Sequence, residues 1–256
     1  MNYKSLFDLN NKVIVVVGGA GLIGSEIVKG LRDFGADVYI ADTNEETGKK
    51  IKTKGTKFVY LDITSEGSIH KALKQICNDT KKIDVLINCA YPRTSDWGLK
   101  MEKVTFDSWK KNVNNHLGGY FLCSKVTAEL MKKESRGVII NFASIYGVVA
   151  PDFDIYKGTK MTMPVAYSAI KGGIINFTKY LATYYAKYNI RANVVSPGGV
   201  FNQQSASFLK KYASKTPLKR MAKPQDIVGA VIYLCSEASS YVTGQNILVD
   251  GGWSVW

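Results

Sequence analysis

The chain has 256 residues, 46% of them hydrophobic, which suits one α/β domain with a sizeable core. No run of about 18 apolar residues occurs and the start, Met1-Asn2-Tyr3-Lys4, is too polar for a secretion signal, so a cytoplasmic protein that neither spans nor enters a membrane is expected. The net charge of +13 comes from lysines scattered along the chain, with only five arginines, and reads as solvated faces or attraction of an acidic small molecule rather than nucleic-acid binding.

Lys12–Val17 is a short continuous apolar run, the pattern of a strand covered on both faces. Gly18-Gly19-Ala20-Gly21-Leu22-Ile23-Gly24 follows, then a helix over about Leu22–Phe34. Small residues between a strand and a helix let the backbone approach a pyrophosphate resting on the helix N-terminus. Gly18, Gly21, Leu22, Ile23 and Gly24 are therefore the first candidate cofactor contacts. Asp37–Ala41 is a second strand, ended by Asp42 eighteen residues after Gly24. A carboxylate there can accept both ribose hydroxyls of an adenosine and would repel a 2′-phosphate, favouring NAD over NADP. The competing reading is a helix-start aspartate in Asp42-Thr43-Asn44-Glu45. Lys57–Leu61 is a third strand, and Asp62 beyond it is either an adenine partner or a turn residue.

A helix opens at Ser65 and runs towards Cys77, Ile83–Ile87 is a fourth strand, and roughly Phe106–Glu134 reads as one helix. Gly137–Phe142 (strand), Ala166–Tyr188 (helix), Ile190–Val195 (strand), Pro224–Cys235 (helix) and Ile247–Val249 (strand) complete the chain. This alternation predicts a single α/β domain over 1–256, a doubly wound parallel sheet with helices on both faces. Residues 145–165 and 199–222 read as long irregular segments of the kind that cover a substrate. Four cysteines far apart and two lone histidines, His70 and His116, predict free thiols and no metal site.

The segment 138–200 holds the candidate chemistry: Ser144 after a strand, two Tyr-x-x-x-Lys sequences, then Pro197-Gly198. Tyr156…Lys160 lies twelve residues after Ser144, but Pro164 follows within a turn and stops a helix there. Tyr167…Lys171 opens a helical pattern that puts both side chains on one face. Thirty residues separate Tyr167 from Pro197, room for one helix and one strand. Tyr167 and Lys171 are therefore the working pair, with about ten residues inserted ahead of them. The insertion, Asp152 to Met163, is expected over the substrate, where Tyr156, Lys157 or Lys160 either contact it or stay solvated.

The series Gly18…Gly24, Asp62-Ile63, Asn88-Cys89-Ala90, Asn141…Ser144, Tyr167…Lys171, Ile190-Arg191-Ala192-Asn193, Pro197-Gly198 and Asp250-Gly251-Gly252 resembles the short-chain dehydrogenase/reductase family nearly end to end. Ala150–Pro164 and His116–Cys123 resemble, more narrowly, bacterial relatives grouped with flagellin modification and nonulosonic-acid sugar biosynthesis. The resemblance implies a Rossmann fold, a nicotinamide cofactor and a homodimer or homotetramer. It implies Tyr167 as acid/base, Ser144 as donor to the substrate oxygen, and Lys171 as the charge that lowers the phenol's pKa from near ~10 and holds the nicotinamide ribose. Ile63, Asn88, Ala90, Pro197, Gly198 and Val200 would line the cofactor, and Asn202 stands where a Thr often touches the carboxamide. His116 falls where the family carries an Asn in its proton relay. It is either a proton shuttle, which an ordinary imidazole pKa allows, or a structural histidine. Tyr91 replaces a small residue beside the cofactor.

The expected function is NAD(H)-dependent hydride transfer between nicotinamide and an alcohol or carbonyl carbon. The expected substrate is a sugar or sugar derivative, phosphorylated or nucleotide-linked. The wide glycine spacing keeps a sugar-nucleotide epimerase or dehydratase as one alternative. The His116 replacement keeps a non-catalytic cofactor-binding protein as another.

Overall fold

The first apolar run forms β1 (Val13–Val17), buried at every residue. Val13, Val15 and Val17 pack into one core and Ile14 and Val16 into the other, so neither face leaves room for a polar alternation. The structure, a computed structural model, describes residues 2–51, 53–159 and 161–256. After β1 come α1 (Leu22–Asp33), β2 (Asp37–Asp42), α2 (Glu45–Lys50), β3 (Thr56–Tyr60), α3 (Glu66–Thr80), β4 (Val85–Asn88), α4 (Phe106–Val113) and α5 (Gly119–Met131). The remainder is β5 (Gly137–Phe142), α6 (Val165–Tyr185), β6 (Ile190–Pro197), α7 (Ala206–Lys215), α8 (Gln225–Cys235) and β7 (Asn246–Val249).

All seven strands are parallel, in the order β3-β2-β1-β4-β5-β6-β7. α3, α5 and α6 cover one face through Leu73, Tyr120 and Ile174, and α1 and α8 cover the other through Leu31 and Val231. The strand order reverses at β1, which pairs with both β2 and β4. The crevice outside the carboxyl ends of β1 and β4 is where sheets of this kind hold ligands.

The expected helical stretch over Phe106–Glu134 is continuous and holds a π-helical turn at Asn114–Gly118, between α4 and α5. A wide turn inserts a residue into the helical register, and here it turns His116 fully inward. Contrary to expectation, residues 199–222 are not irregular throughout, because α7 lies among them. Ser205 caps α7 by accepting the Phe208 N–H. Phe208 and Tyr212 of α7 join Ile145, Tyr146, Ile155, Tyr156, Met221 and Trp253 in a third apolar cluster above the sheet. Those apolar residues are spread over three segments, so no helical or strand period announces them.

Candidate active site

The groove begins at Gly18, whose φ of +82° favours glycine. A Cβ on Gly18 would come within 2.6 Å of Ala90 Cα. Here the turns after β1 and β4 touch. Gly21 stands directly before α1 and accepts the Ser25 N–H, so the first N–H groups of α1 remain without helical partners. A cavity of about 590 Å³ opens in front of them, lined by Gly18, Gly21, Leu22, Ile23 and Gly24 on one side and by Asp42, Asp62, Ile63 and Ala90 on the others. This shape and its free N–H groups fit a dinucleotide pyrophosphate.

Asp42 is held with its carboxylate at the groove: one oxygen accepts the Ala20 N–H (2.9 Å) and the other the Asn44 N–H (3.0 Å). The cap of α2 is Asn44, which accepts the Thr47 N–H, so Asp42 does not act as the helix start. Asp62 accepts both the N–H and the hydroxyl of Thr64 on one oxygen while lining the same cavity. Asn88 does not line it. That side chain is fully buried and donates to Asn141 Oδ1 (2.8 Å) and Ser124 Oγ (3.2 Å), tying β4 to β5 and α5. The family resemblance implies a place beside the cofactor, but the pleat turns this side chain towards Asn141 and Ser124.

A second cavity of about 590 Å³ continues from the first, sharing Leu22, Ile23, Ala90, Tyr91, Arg93 and Asn202 with it. Ser144, Tyr167 and Lys171 line it, as do Pro197, Gly198 and Val200. Ser144 follows β5, and Tyr167 and Lys171 lie in the first turns of α6. Lys171 Nζ donates to Phe142 O at 2.9 Å and lies 3.3 Å from His116 Nε2 and 5.6 Å from the Tyr167 ring centre. Burial pushes the Lys171 ammonium down to about 7. Burial also raises the Tyr167 phenol above its ordinary 10.0, while the Ser144 hydroxyl beside it works the other way. The expected lowering of that phenol by Lys171 is therefore not what the site shows, because burial disfavours the charged form of each group.

The lowered lysine has a stability consequence. Between pH about 7 and the ordinary 10.5, the unfolded chain binds a proton at Lys171 that the folded protein rejects, so stability rises with pH across that window. Below 7 both states are protonated and the deficit is constant. Lys171→Met removes the group. The melting temperature of ligand-free wild type, relative to that variant, should climb from pH 7 towards pH 10. A flat difference over this range would contradict the assignment.

His116 lines neither cavity. Burial first, and the Lys171 charge second, hold its pKa well below 6.5, so it is neutral, and Nδ1 has no hydrogen-bond partner among the described residues. His116 sits behind Lys171, its Nε2 3.3 Å from Nζ, and burial takes it away from the near-neutral titration expected of a shuttle. Within the insertion, Tyr156 is buried and faces the cavity, whereas Lys157 is exposed in an ion pair with Asp154 (2.7 Å). Lys160 lies outside the described residues. The insertion is fastened to α7 by the Asp152–Lys215 ion pair (3.0 Å) and by Tyr156 packing on Phe208.

Sequence reasoning passed over Trp97 and Arg93. Trp97 Nε1 donates to the Tyr91 hydroxyl (2.8 Å), and the Tyr91 ring stands edge-on to Tyr167 with centres 5.7 Å apart. The Arg93 guanidinium lies over Tyr91, 5.1 Å from its centre. No spacing rule links these residues to Tyr167; only the turn after β4 brings them there. Among the described residues no group of His, Cys, Asp and Glu suits a metal, and no helix is long and apolar enough to cross a membrane.

Residues 19–254 match the family model described as enoyl-(acyl carrier protein) reductase. Post-translational flagellin modification protein A of Campylobacter coli is 36% identical over 255 residues, covering 96% of this chain and 100% of that protein. A short-chain dehydrogenase from Leptospira borgpetersenii, solved with bound NAD+, is 38% identical with a TM-score of 0.87, covering 99% of this chain and 96% of that one. A gluconate 5-dehydrogenase from Burkholderia cenocepacia, solved with NADP and tartrate, is 25% identical with a TM-score of 0.89 and full coverage of both chains (100%). Both solved relatives are named as dehydrogenases, which disfavours the epimerase, dehydratase and non-catalytic alternatives.

Proposed function

The chain belongs to the short-chain dehydrogenase/reductase family of nicotinamide-dependent oxidoreductases, and from that premise we propose that it reduces or oxidises a sugar derivative with NAD(H). The observation that carries the reading is the grouping of Ser144, Tyr167 and Lys171 on one wall of a cavity continuous with the glycine-lined groove. The bound nicotinamide would supply or accept the hydride. Everything else falls to the protein. Tyr167, held protonated by burial, donates a proton to the substrate oxygen in the reducing direction. Ser144 donates a hydrogen bond to the same oxygen as charge develops. Lys171 Nζ donates one N–H to Phe142 O and lies beside His116 Nε2, and a further N–H would hold the cofactor ribose.

Two features support the finer parts of the proposal. Asp42 favours NAD, because its fixed carboxylate would meet the 2′-phosphate of NADP as a like charge. Arg93 at the rim of the substrate cavity, with no carboxylate on the described lining, favours a substrate carrying an anionic group. The solved relative named as a gluconate 5-dehydrogenase fits a sugar derivative of that kind. Exposed Phe121 on α5 and Tyr180 and Tyr184 on α6 offer an apolar face for a homodimer or homotetramer.

A fluorescence titration tests the cofactor, and NADH-linked turnover of phosphorylated and nucleotide-linked sugars in both directions tests the substrate. NADH should bind wild type about tenfold or more tightly than NADPH, and Asp42→Ser should close most of that gap. Tighter binding of NADPH to wild type would overturn the NAD assignment.

A further inference from the structure

Five phenols face the substrate cavity: Tyr91, Tyr146, Tyr156, Tyr167 and Tyr212. Three have evident tasks. Tyr91 accepts from Trp97, Tyr212 accepts the Gly199 N–H, and Tyr167 stands beside Ser144 and Lys171. Tyr146 has none. Its ring is buried, its hydroxyl is shielded from solvent, and that hydroxyl meets the Tyr156 phenol without a well-formed hydrogen bond to any described residue. A buried hydroxyl without a well-formed hydrogen bond in a native protein calls for a cause. The Tyr156 phenol, brought in by the insertion, is its neighbour and contributes to raising its pKa. Both groups therefore stay protonated and can donate. Tyr146 is also close to the reacting groups along the chain, since its own N–H donates to Ser144 Oγ at 3.2 Å.

Resting on the oxidoreductase reading above, we propose that Tyr146 and Tyr156 form a second recognition point for the substrate. The pair donates to an oxygen on a carbon adjoining the reacting carbonyl, so the enzyme selects polyoxygenated carbonyl compounds over plain ketones. No carboxylate on the described lining competes for the two donors. Phe208 and the Asp152–Lys215 ion pair hold Tyr156 against α7, so the insertion and α7 together fix the spacing of the pair.

The test compares 2-hydroxycyclohexanone with cyclohexanone in NADH-linked reduction by wild type, Tyr146→Phe and Tyr156→Phe. Wild type should prefer the hydroxyketone by about tenfold in kcat/KM, the worth of one added hydrogen bond. Each variant should move that ratio towards one. Tyr146→Phe should melt no lower than wild type, because the hydroxyl it loses has no well-formed hydrogen bond among the described residues. An equal loss for both ketones, an unchanged ratio, or a lower melting temperature in Tyr146→Phe would overturn the proposal. If wild type reduces neither ketone, it is the oxidoreductase reading that fails for these substrates. The subsite is then read by binding to the NADH-loaded protein. The hydroxyketone should raise the melting temperature of wild type more than that of Tyr146→Phe, and equal shifts would overturn the subsite.

Discussion

Tyr167→Phe should lower NADH-dependent turnover by roughly 10²–10⁴-fold while leaving NADH binding and the melting temperature close to those of wild type. The substitution removes one oxygen and keeps the ring. Tyr91 and Trp97 still pack edge-on against it, with centres 5.7 and 6.3 Å away, so the wall of the cavity survives. What disappears is the proton donor. Ser144 can still donate a hydrogen bond to the substrate oxygen, and a residual rate is expected from that bond and from positioning. A variant that keeps more than a tenth of the wild-type rate would remove Tyr167 from the acid/base role. A variant that loses NADH binding as well would mean that the phenol serves chiefly to build the groove.

Gly24→Ala should have the largest effect away from the chemistry. A Cβ there would overlap Gly18 O and stand 2.9 Å from Gly19 Cα, and both neighbours are backbone atoms. No side chain can swing aside, so the turn or the start of α1 must move. Overpacking of this kind costs about 3 kcal/mol. For a domain of this size that lowers the melting temperature by roughly 6–12 °C. The same movement displaces the N–H groups that would hold the pyrophosphate, and NADH affinity should fall more than about tenfold. Gly67→Ala is the control. It lies on α3 where an added Cβ meets nothing, and it should melt no lower than wild type. Unchanged melting and NADH binding in Gly24→Ala would show that the turn has room to spare.

The two variants probe parts of the site that were unequally visible in the residues alone. The Gly18–Gly24 turn, the parallel sheet and the choice of Tyr167 over Tyr156 follow from local rules. Continuous apolar runs mark strands covered on both faces. Glycine at a strand–helix junction marks close backbone approach. Pro164 bars a helix from Tyr156, and an i, i+4 spacing puts Tyr167 and Lys171 on one face. Each of these effects acts within a few residues of the chain.

What only the tertiary structure decided acts between distant segments. The charge state of Tyr167 and Lys171 is one case. Spacing suggested a lysine that acidifies the phenol, but burial on all sides pushes Lys171 down and Tyr167 up, and burial depends on what packs around them. His116 is another. The π-helical turn that rotates it behind Lys171 has no signature in the Asn114–Gly118 residues, and its neutrality follows from enclosure. Asn88 is a third, because the pleat of β4 directs it to Asn141 and Ser124 rather than to the groove. The substrate wall depends on long-range packing most of all. Tyr146, Tyr156, Phe208 and Tyr212 come from three separate segments that meet only when the insertion docks on α7. The sequence by itself therefore determined the fold, the glycine turn after β1 and the placing of Tyr167 and Lys171 on one helix face, since local backbone geometry suffices for each. Desolvation and long-range packing, which no local pattern encodes, decided the protonation states and the shape offered to the substrate.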